Sequence, residues 1–132
     1  MIKIIDGTNA TLGRLASYAA KQVLRGEEII ILNCDKVVIS GNKVFLQKDF
    51  QEKRSKVGSS LKGPRVSKSS DRIVKRVIRG MLPDHRIGRG KEALKKIKCY
   101  TGVPKEFENK KKISAGKEKG IKLITVKELV NN

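Results

Sequence analysis

Apolar residues along this chain follow two rhythms, and the alternation between them outlines the fold. "IKII" (Ile2 to Ile5) is a short apolar run that reads as a first strand. From Leu12 onward the apolar positions are Leu12, Leu15, Ala16, Ala19, Ala20, Val23 and Leu24, which form one continuous helical stripe. Thr11 stands where an N-cap belongs and Gly26 where a helix stops. "IIIL" (Ile29 to Leu32) is uninterrupted, as expected of a strand buried on both faces. Strand, helix and buried strand within about thirty residues predict a βαβ unit with a right-handed crossover. "VVIS" (Val37 to Ser40) reads as a further strand, and "NKVFLQKDFQEKR" as a second helix.

The middle of the chain changes character. "SKVGSSLKGPRVSKSS", residues 55–70, has no periodic apolar face and reads as a basic loop. A loop of that length joining two parts of one core is more often functional than idle. Residues 69–82 carry the clearest amphipathic pattern. Ile73, Val74, Val77, Ile78, Met81 and Leu82 line one face, while Arg72, Lys75, Arg76 and Arg79 lie away from it. Asp71, beside Ser70, is expected to cap this helix and Pro83 to close it. "DHRIGRGKEALKK" then reads as a basic turn leading into a short helix, with Gly88 and Gly90 admitting close approach to the backbone. "IKCY" should be another core strand, and residues 104–120 a Lys-rich excursion. "IKLITVKELV" ends the pattern with a strand and a short helix opened by the capping box Thr125-x-x-Glu128. A chain of 132 residues fits a single α/β domain spanning 1–132.

Charge narrows the class of partner. Thirty-one basic against thirteen acidic residues leave a net charge of +18, far beyond what solubility requires. The excess is uneven: residues 1–44 hold six basic and four acidic residues, whereas residues 45–120 hold twenty-three and eight. One segment carrying nearly all the surplus points to a polyanion, and nucleic acid before a membrane surface. No apolar run approaches the ~18 residues of a membrane span, and "MIKIID" lacks the regions of a signal peptide, so an intracellular protein is expected. Cys34 and Cys99 lie in apolar, strand-like contexts outside any C-x-x-C, which predicts reduced, buried thiols rather than a disulfide or zinc framework.

Candidate chemistry is thin where catalysis is concerned. "IIDGTNATLGRLAS", residues 4–17, has the strand–glycine–helix layout of a phosphate loop. The dinucleotide pattern would need glycines where Asn9 and Leu12 stand, and the triphosphate loop would need Lys and Ser or Thr where Arg14 and Leu15 follow Gly13. Both fail, so no cofactor and no small-molecule substrate are expected. The single histidine, His85, has no second histidine or cysteine beside it, and the aspartates are scattered. No nucleophile–base pair, carboxylate pair or ligand set emerges, and the chain is not expected to be an enzyme.

Binding chemistry is better supplied. Arginine forks make two parallel bonds to phosphate oxygens, and Arg65, Arg72, Arg76, Arg79, Arg86 and Arg89 gather in one loop–helix–loop stretch. Three Phe, two Tyr and no Trp, with none between Val57 and Cys99, leave few stacking platforms for single-stranded bases. Recognition of folded RNA through phosphates and 2′-hydroxyls is the expected mode.

Two blocks of sequence resemble a known family. "DGTNATLGRLAS.AAK.VLRGEEIIILNCDKVVISGNK" (Asp6 to Lys43, dots for Tyr18 and Gln22) and "RGMLPDHRIGRGKEALKKIKCYTGVP" (Arg79 to Pro104) are similar to the two signatures of the large-subunit ribosomal protein thirteen family. "KGP" at Lys62 to Pro64 resembles its archaeal and eukaryotic branch, while the tail after Phe107 and the "SKSSD" link depart from it. The resemblance implies a three-layer α/β/α domain around a small, mostly parallel sheet of about four strands. It also implies a structural role on large-subunit rRNA in the cytoplasmic ribosome, early in assembly and beside neighbouring ribosomal proteins. The residues then expected to touch RNA are Arg14, Lys62, Arg65, Arg72, Arg76, Arg79, Arg86, Arg89 and Lys91.

Overall fold

A computed structural model describes residues 2–56, 67–114 and 123–130 of the chain. The expected βαβ unit opens it: β1 (Ile2–Asp6), α1 (Leu12–Leu24) and β2 (Glu28–Leu32), with the two strands parallel and Ile4 opposite Ile30. A short 3₁₀ turn (Cys34–Lys36) leads to β3 (Val38–Ser40) and α2 (Lys43–Ser55). After the basic loop come α3 (Ser70–Gly80), α4 (Gly88–Lys95) and β4 (Ile97–Cys99). A second 3₁₀ turn (Lys105–Phe107), β5 (Ile113–Ser114), β6 (Leu123–Thr125) and α5 (Val126–Val130) complete the order.

The main sheet has the order β4-β2-β1-β5 and every pair in it is parallel, as an α/β class requires. β2 sits inside it, and Ile29, Ile30, Ile31 and Leu32 are all buried, which explains their unbroken apolar run. Alternation sends Ile5, Ile29, Ile31 and Ile97 to one face, where α1, α3 and α4 cover them with Leu15, Ala19, Ile73, Val74, Ile78 and Ala93. Each fully buried isoleucine contributes on the order of 2 kcal/mol to that packing.

The opposite face departs from the three-layer expectation. Ile4, Ile30 and Leu32 are closed there by Phe107, with Tyr100 and Val103 packed alongside, so among the described residues a loop and a 3₁₀ turn stand where a helical layer was expected. Tyr100 and Phe107 meet at 5.7 Å between ring centroids. β3 also lies outside the main sheet, pairing antiparallel with β6 in a two-stranded ribbon through Ile39 and Ile124. One half of the expected capping box at Thr125 is present, with the Glu128 N–H donating to Thr125 Oγ1 at 3.1 Å. At α3 the N-cap position is Ser69, two residues before Asp71, and its hydroxyl donates to the Asp71 carboxylate rather than accepting from a helix amide.

The two cysteines, sixty-five positions apart in sequence, become neighbours because Cys34 leaves β2 beside β4; its N–H donates to the Tyr100 carbonyl at 3.0 Å. A hydrogen bond with Cys99, then burial, push the Cys34 thiol far above its ordinary value, so it stays protonated and inert. Among the described residues no helix is long and apolar enough to cross a membrane.

Candidate nucleic-acid interface

The loop from Gly7 to Ala10 lies where a nucleotide phosphate would sit in an α/β fold, outside the carboxyl end of a strand and ahead of a helix. Its amides are already engaged. The Gly7 N–H donates to the Leu32 carbonyl at 2.9 Å, Asn9 to Lys36 at 3.2 Å and Ala10 to Gly7 at 3.0 Å. The Thr8 N–H donates to Asp6 Oδ1 at 3.1 Å, and the Thr8 hydroxyl to the same oxygen at 2.8 Å. Gly7 is required by space: a Cβ there would stand 2.8 Å from Val37 Cγ2 and 2.9 Å from the Leu32 oxygen. This loop is a knot tying β1, β2 and α1 together, with its own amides from Gly7 to Ala10 engaged.

Asp6 anchors the knot. Burial opposes its ionisation, but hydrogen bonds from Asn33 and Thr8 and the charge of Lys112 outweigh that and hold its carboxyl below the usual aspartate value. The Asn33 amide reaches Asp6 Oδ1 at 3.0 Å. These groups are mutually satisfied, and among the described residues no cluster of three His, Cys, Asp or Glu could hold a metal ion.

The cationic site is built on α3. At about 100° per residue, Arg72, Lys75, Arg76 and Arg79 fall within roughly a quarter-turn, diametrically opposite Ile73, Val74 and Ile78, which face the core. Ile73, Val74 and Ile78 are buried, whereas Arg72 and Arg76 are exposed and Lys75 and Arg79 half-buried. Burying the apolar side therefore forces the cationic side outward. Val77 and Leu82 pack only partly on the core, and Met81 is 42% exposed because the helix ends at Gly80 and the phase ends with it.

The basic turn that follows is held by the Asp84 side chain. The Arg86 N–H donates to Asp84 Oδ1 at 3.0 Å, and α4 begins at Gly88, whose φ of 57° is left-handed. Gly90 is buried, and a Cβ on it would run into the carbonyl oxygens of Pro83 and Asp84 and stand 2.7 Å from the Asp84 carbonyl carbon. Its missing side chain serves the packing of α4 on the turn, which corrects the expectation that it opens the backbone to RNA. Arg86, Arg89 and Lys91 are exposed around this locked turn.

Among the expected contact residues, α3 and the turn bring together Arg72, Arg76, Arg79, Arg86, Arg89 and Lys91. Arg14 is exposed on the first turn of α1, one turn from Ser17, whose hydroxyl meets Met81 Sδ at 3.6 Å where α3 ends. Lys62 and Arg65 lie outside the described residues. Two cations escaped the sequence-based selection. Lys75 and Lys98 flank a cleft between α3 and β4, together with Arg72. Strand alternation around the buried Ile97 held the signal for Lys98, which turns outward.

A parallel α/β scaffold with a one-sided cationic face on a helix over the sheet defines a class of basic α/β proteins. The family described as ribosomal protein L13 matches residues 1–106, and the chain belongs to it. It is 46% identical over 129 residues to large ribosomal subunit protein uL13 of Methanocaldococcus jannaschii, covering 96% of this chain and 93% of that protein. Identity is 47% to the uL13 of Methanosarcina barkeri, over 84% of this chain and 79% of the relative. It is 49% to that of Picrophilus torridus, over 80% and 75%. The family, of archaeal type in these relatives, is one of ribosomal proteins rather than enzymes.

Proposed function

We propose that this protein is a structural constituent of the large ribosomal subunit that binds and stabilises folded rRNA through phosphate and backbone contacts, and takes part in subunit assembly. It works in the cytoplasmic ribosome beside neighbouring large-subunit proteins, without cofactor or small-molecule substrate. The observation that carries this reading is the cationic stripe of α3, opposite its buried apolar face and prolonged by exposed Arg86, Arg89 and Lys91. Phosphate contacts set register and most of the affinity in such complexes, and arginine is the better fork for them. Arg14 extends the surface toward α1, and Lys62 and Arg65, which lie outside the described residues, are proposed as contacts from the sequence alone.

The test is incorporation. Arg86 and Arg89 are exposed, so Arg86→Glu with Arg89→Glu should leave the melting curve within about 0.5 kcal/mol of wild type. The double variant should nonetheless be missing from large-subunit particles purified from cells that express it with the wild-type chain. Normal incorporation would move the contact surface away from the turn.

A further inference from the structure

We infer that the cleft between α3 and the open edge of β4 seats an unpaired RNA nucleotide, with its base against the sheet edge and its phosphates on the α3 cations. The inference rests on the rRNA-binding reading above and specifies which RNA structure that surface takes.

β4 is an edge strand. Its ladder to β2 uses alternate residues: the Ile29 N–H donates to the Lys96 carbonyl at 3.0 Å and the Tyr100 N–H to the Ile31 carbonyl at 2.9 Å. In a parallel pair that pattern turns the N–H and C=O of Ile97 and Cys99 toward the open side. A cavity of about 320 Å³ lies there, with Arg72 and Lys75 on its helix wall and Lys98 on its strand wall. A second cavity, of about 300 Å³, continues along α3 past Arg76 and Arg79, with Ile73 and Leu94 among its lining. Arg72 and Lys75 line both, so the two cavities adjoin along the cationic helix.

Shape and chemistry together select the occupant. Each volume is at the small end of ligand clefts, of the order that takes one compact group. A duplex presents its phosphates on a broad convex surface and cannot enter a recess of this size, whereas a splayed-out nucleotide can. Apolar groups among the lining, Ile73 and Leu94 along the helix and Cys99 and Tyr100 at the strand edge, suit the faces of a base, which enzymes and RNA-binding modules also hold between apolar side chains. The outward main-chain groups of half-buried Cys99 and the Asp71 carboxylate supply acceptors and donors for a base edge, where unpaired bases are read, while those of fully buried Ile97 stay out of reach. Five cations around the recess against one acid, Asp71, favour RNA over an acidic peptide added as a further strand. The shortage of aromatic residues elsewhere does not oppose this, because Tyr100 is among the lining residues of the cavity at the strand edge.

The experiment compares two fluorescein-labelled probes on the full chain: an unstructured single-stranded RNA of about ten nucleotides and a blunt RNA duplex of about sixteen base pairs. The wild-type chain should bind the single strand about tenfold more tightly at equal salt. Lys98→Glu should weaken that binding by about tenfold and leave duplex binding within about twofold, whereas Arg89→Glu should weaken both. Lys98 is exposed, so its melting curve should not move, and Lys98→Gln provides a milder variant with an intermediate loss. Equal affinity for the two probes, or a Lys98→Glu chain that binds the single strand as wild type does, overturns the inference. The broader rRNA reading then stands as long as the wild-type chain binds a large-subunit rRNA transcript, and falls if it does not. Unchanged RNA binding combined with loss of Lys98→Glu from large-subunit particles would assign the edge to a protein segment, and overturns the inference equally.

Discussion

Replacing Gly90 with alanine separates two roles a glycine can have in a basic turn: packing, or access for RNA to the backbone. The added Cβ would be driven into the Pro83 and Asp84 carbonyls, which are main chain and cannot rotate aside as a side chain can. Overpacking typically costs 1–3 kcal/mol, and with only backbone to give way the cost should be near the top of that range, about 3 kcal/mol. For a chain of this size that corresponds to a fall in Tm of about 10 °C. Gly13→Ala is the control: that glycine is exposed on α1 with nothing within 4 Å of its Cβ position, so alanine should stabilise by up to about 1 kcal/mol. Urea unfolding followed by circular dichroism measures both, and rRNA affinity is read well below the transitions. A Gly90→Ala chain as stable as wild type but deficient in RNA binding would refute the packing argument and return Gly90 to the interface.

Three further outcomes are expected. Ile78→Ala removes a fully buried side chain and should cost about 2–5 kcal/mol, while exposed Arg72→Ala should stay within about 0.5 kcal/mol; equal melting of the two would mean α3 is rotated. With roughly six to ten phosphates neutralised, affinity for rRNA should fall about a thousandfold or more between about 50 and 200 mM salt, and a flat titration would count against phosphate-dominated binding. Asp6 ionises more readily folded than unfolded, so its contribution is whole above the ordinary aspartate value near ~3.9 and is lost as pH falls through its lower folded value. Thermal melts of Asp6→Asn and wild type should therefore differ most above that window and converge in acid; a constant gap would show that ionisation of Asp6 is not linked to folding.

Much of this architecture is legible where burial is two-sided or strictly periodic. Ile29 to Leu32 could only be an interior strand, and α1 buries its predicted stripe except at Leu24, which is half-buried. What periodicity cannot supply is the partner of an element. Val38–Ser40 reads as a strand whichever sheet it joins, and its actual partner, Leu123–Thr125, is more than eighty residues away. The far face of the sheet was equally hidden, because Phe107 covers it from a turn with no repeating pattern. At α3 the cationic residues proposed as contacts were visible as the side left over once the core was assigned. Lys98 was passed over because a three-residue strand has too little alternation to stand out.

The sealed glycine loop and the cationic helix are linked by one constraint. In open α/β sheets the ordinary ligand crevice lies outside the carboxyl ends of the strands, and here Asp6, Thr8, Asn33 and the Gly7 contacts fill that place with a satisfied hydrogen-bonded network. Anything placed there would have to break bonds already worth about 1 kcal/mol each. The strand–loop–helix layout is thus spent on fixing α1 against β1 and β2, and α3 packs on α1 across the same sheet face. A rigid α3 is what an arginine stripe needs, since forks held in one geometry lose less entropy on meeting phosphate than forks on a mobile segment. If α3 binds rRNA as proposed, loosening the loop, for example by Gly7→Ala, should weaken rRNA affinity measured by titration, without removing a side chain from the proposed surface; unchanged affinity in a destabilised Gly7→Ala chain would refute the link.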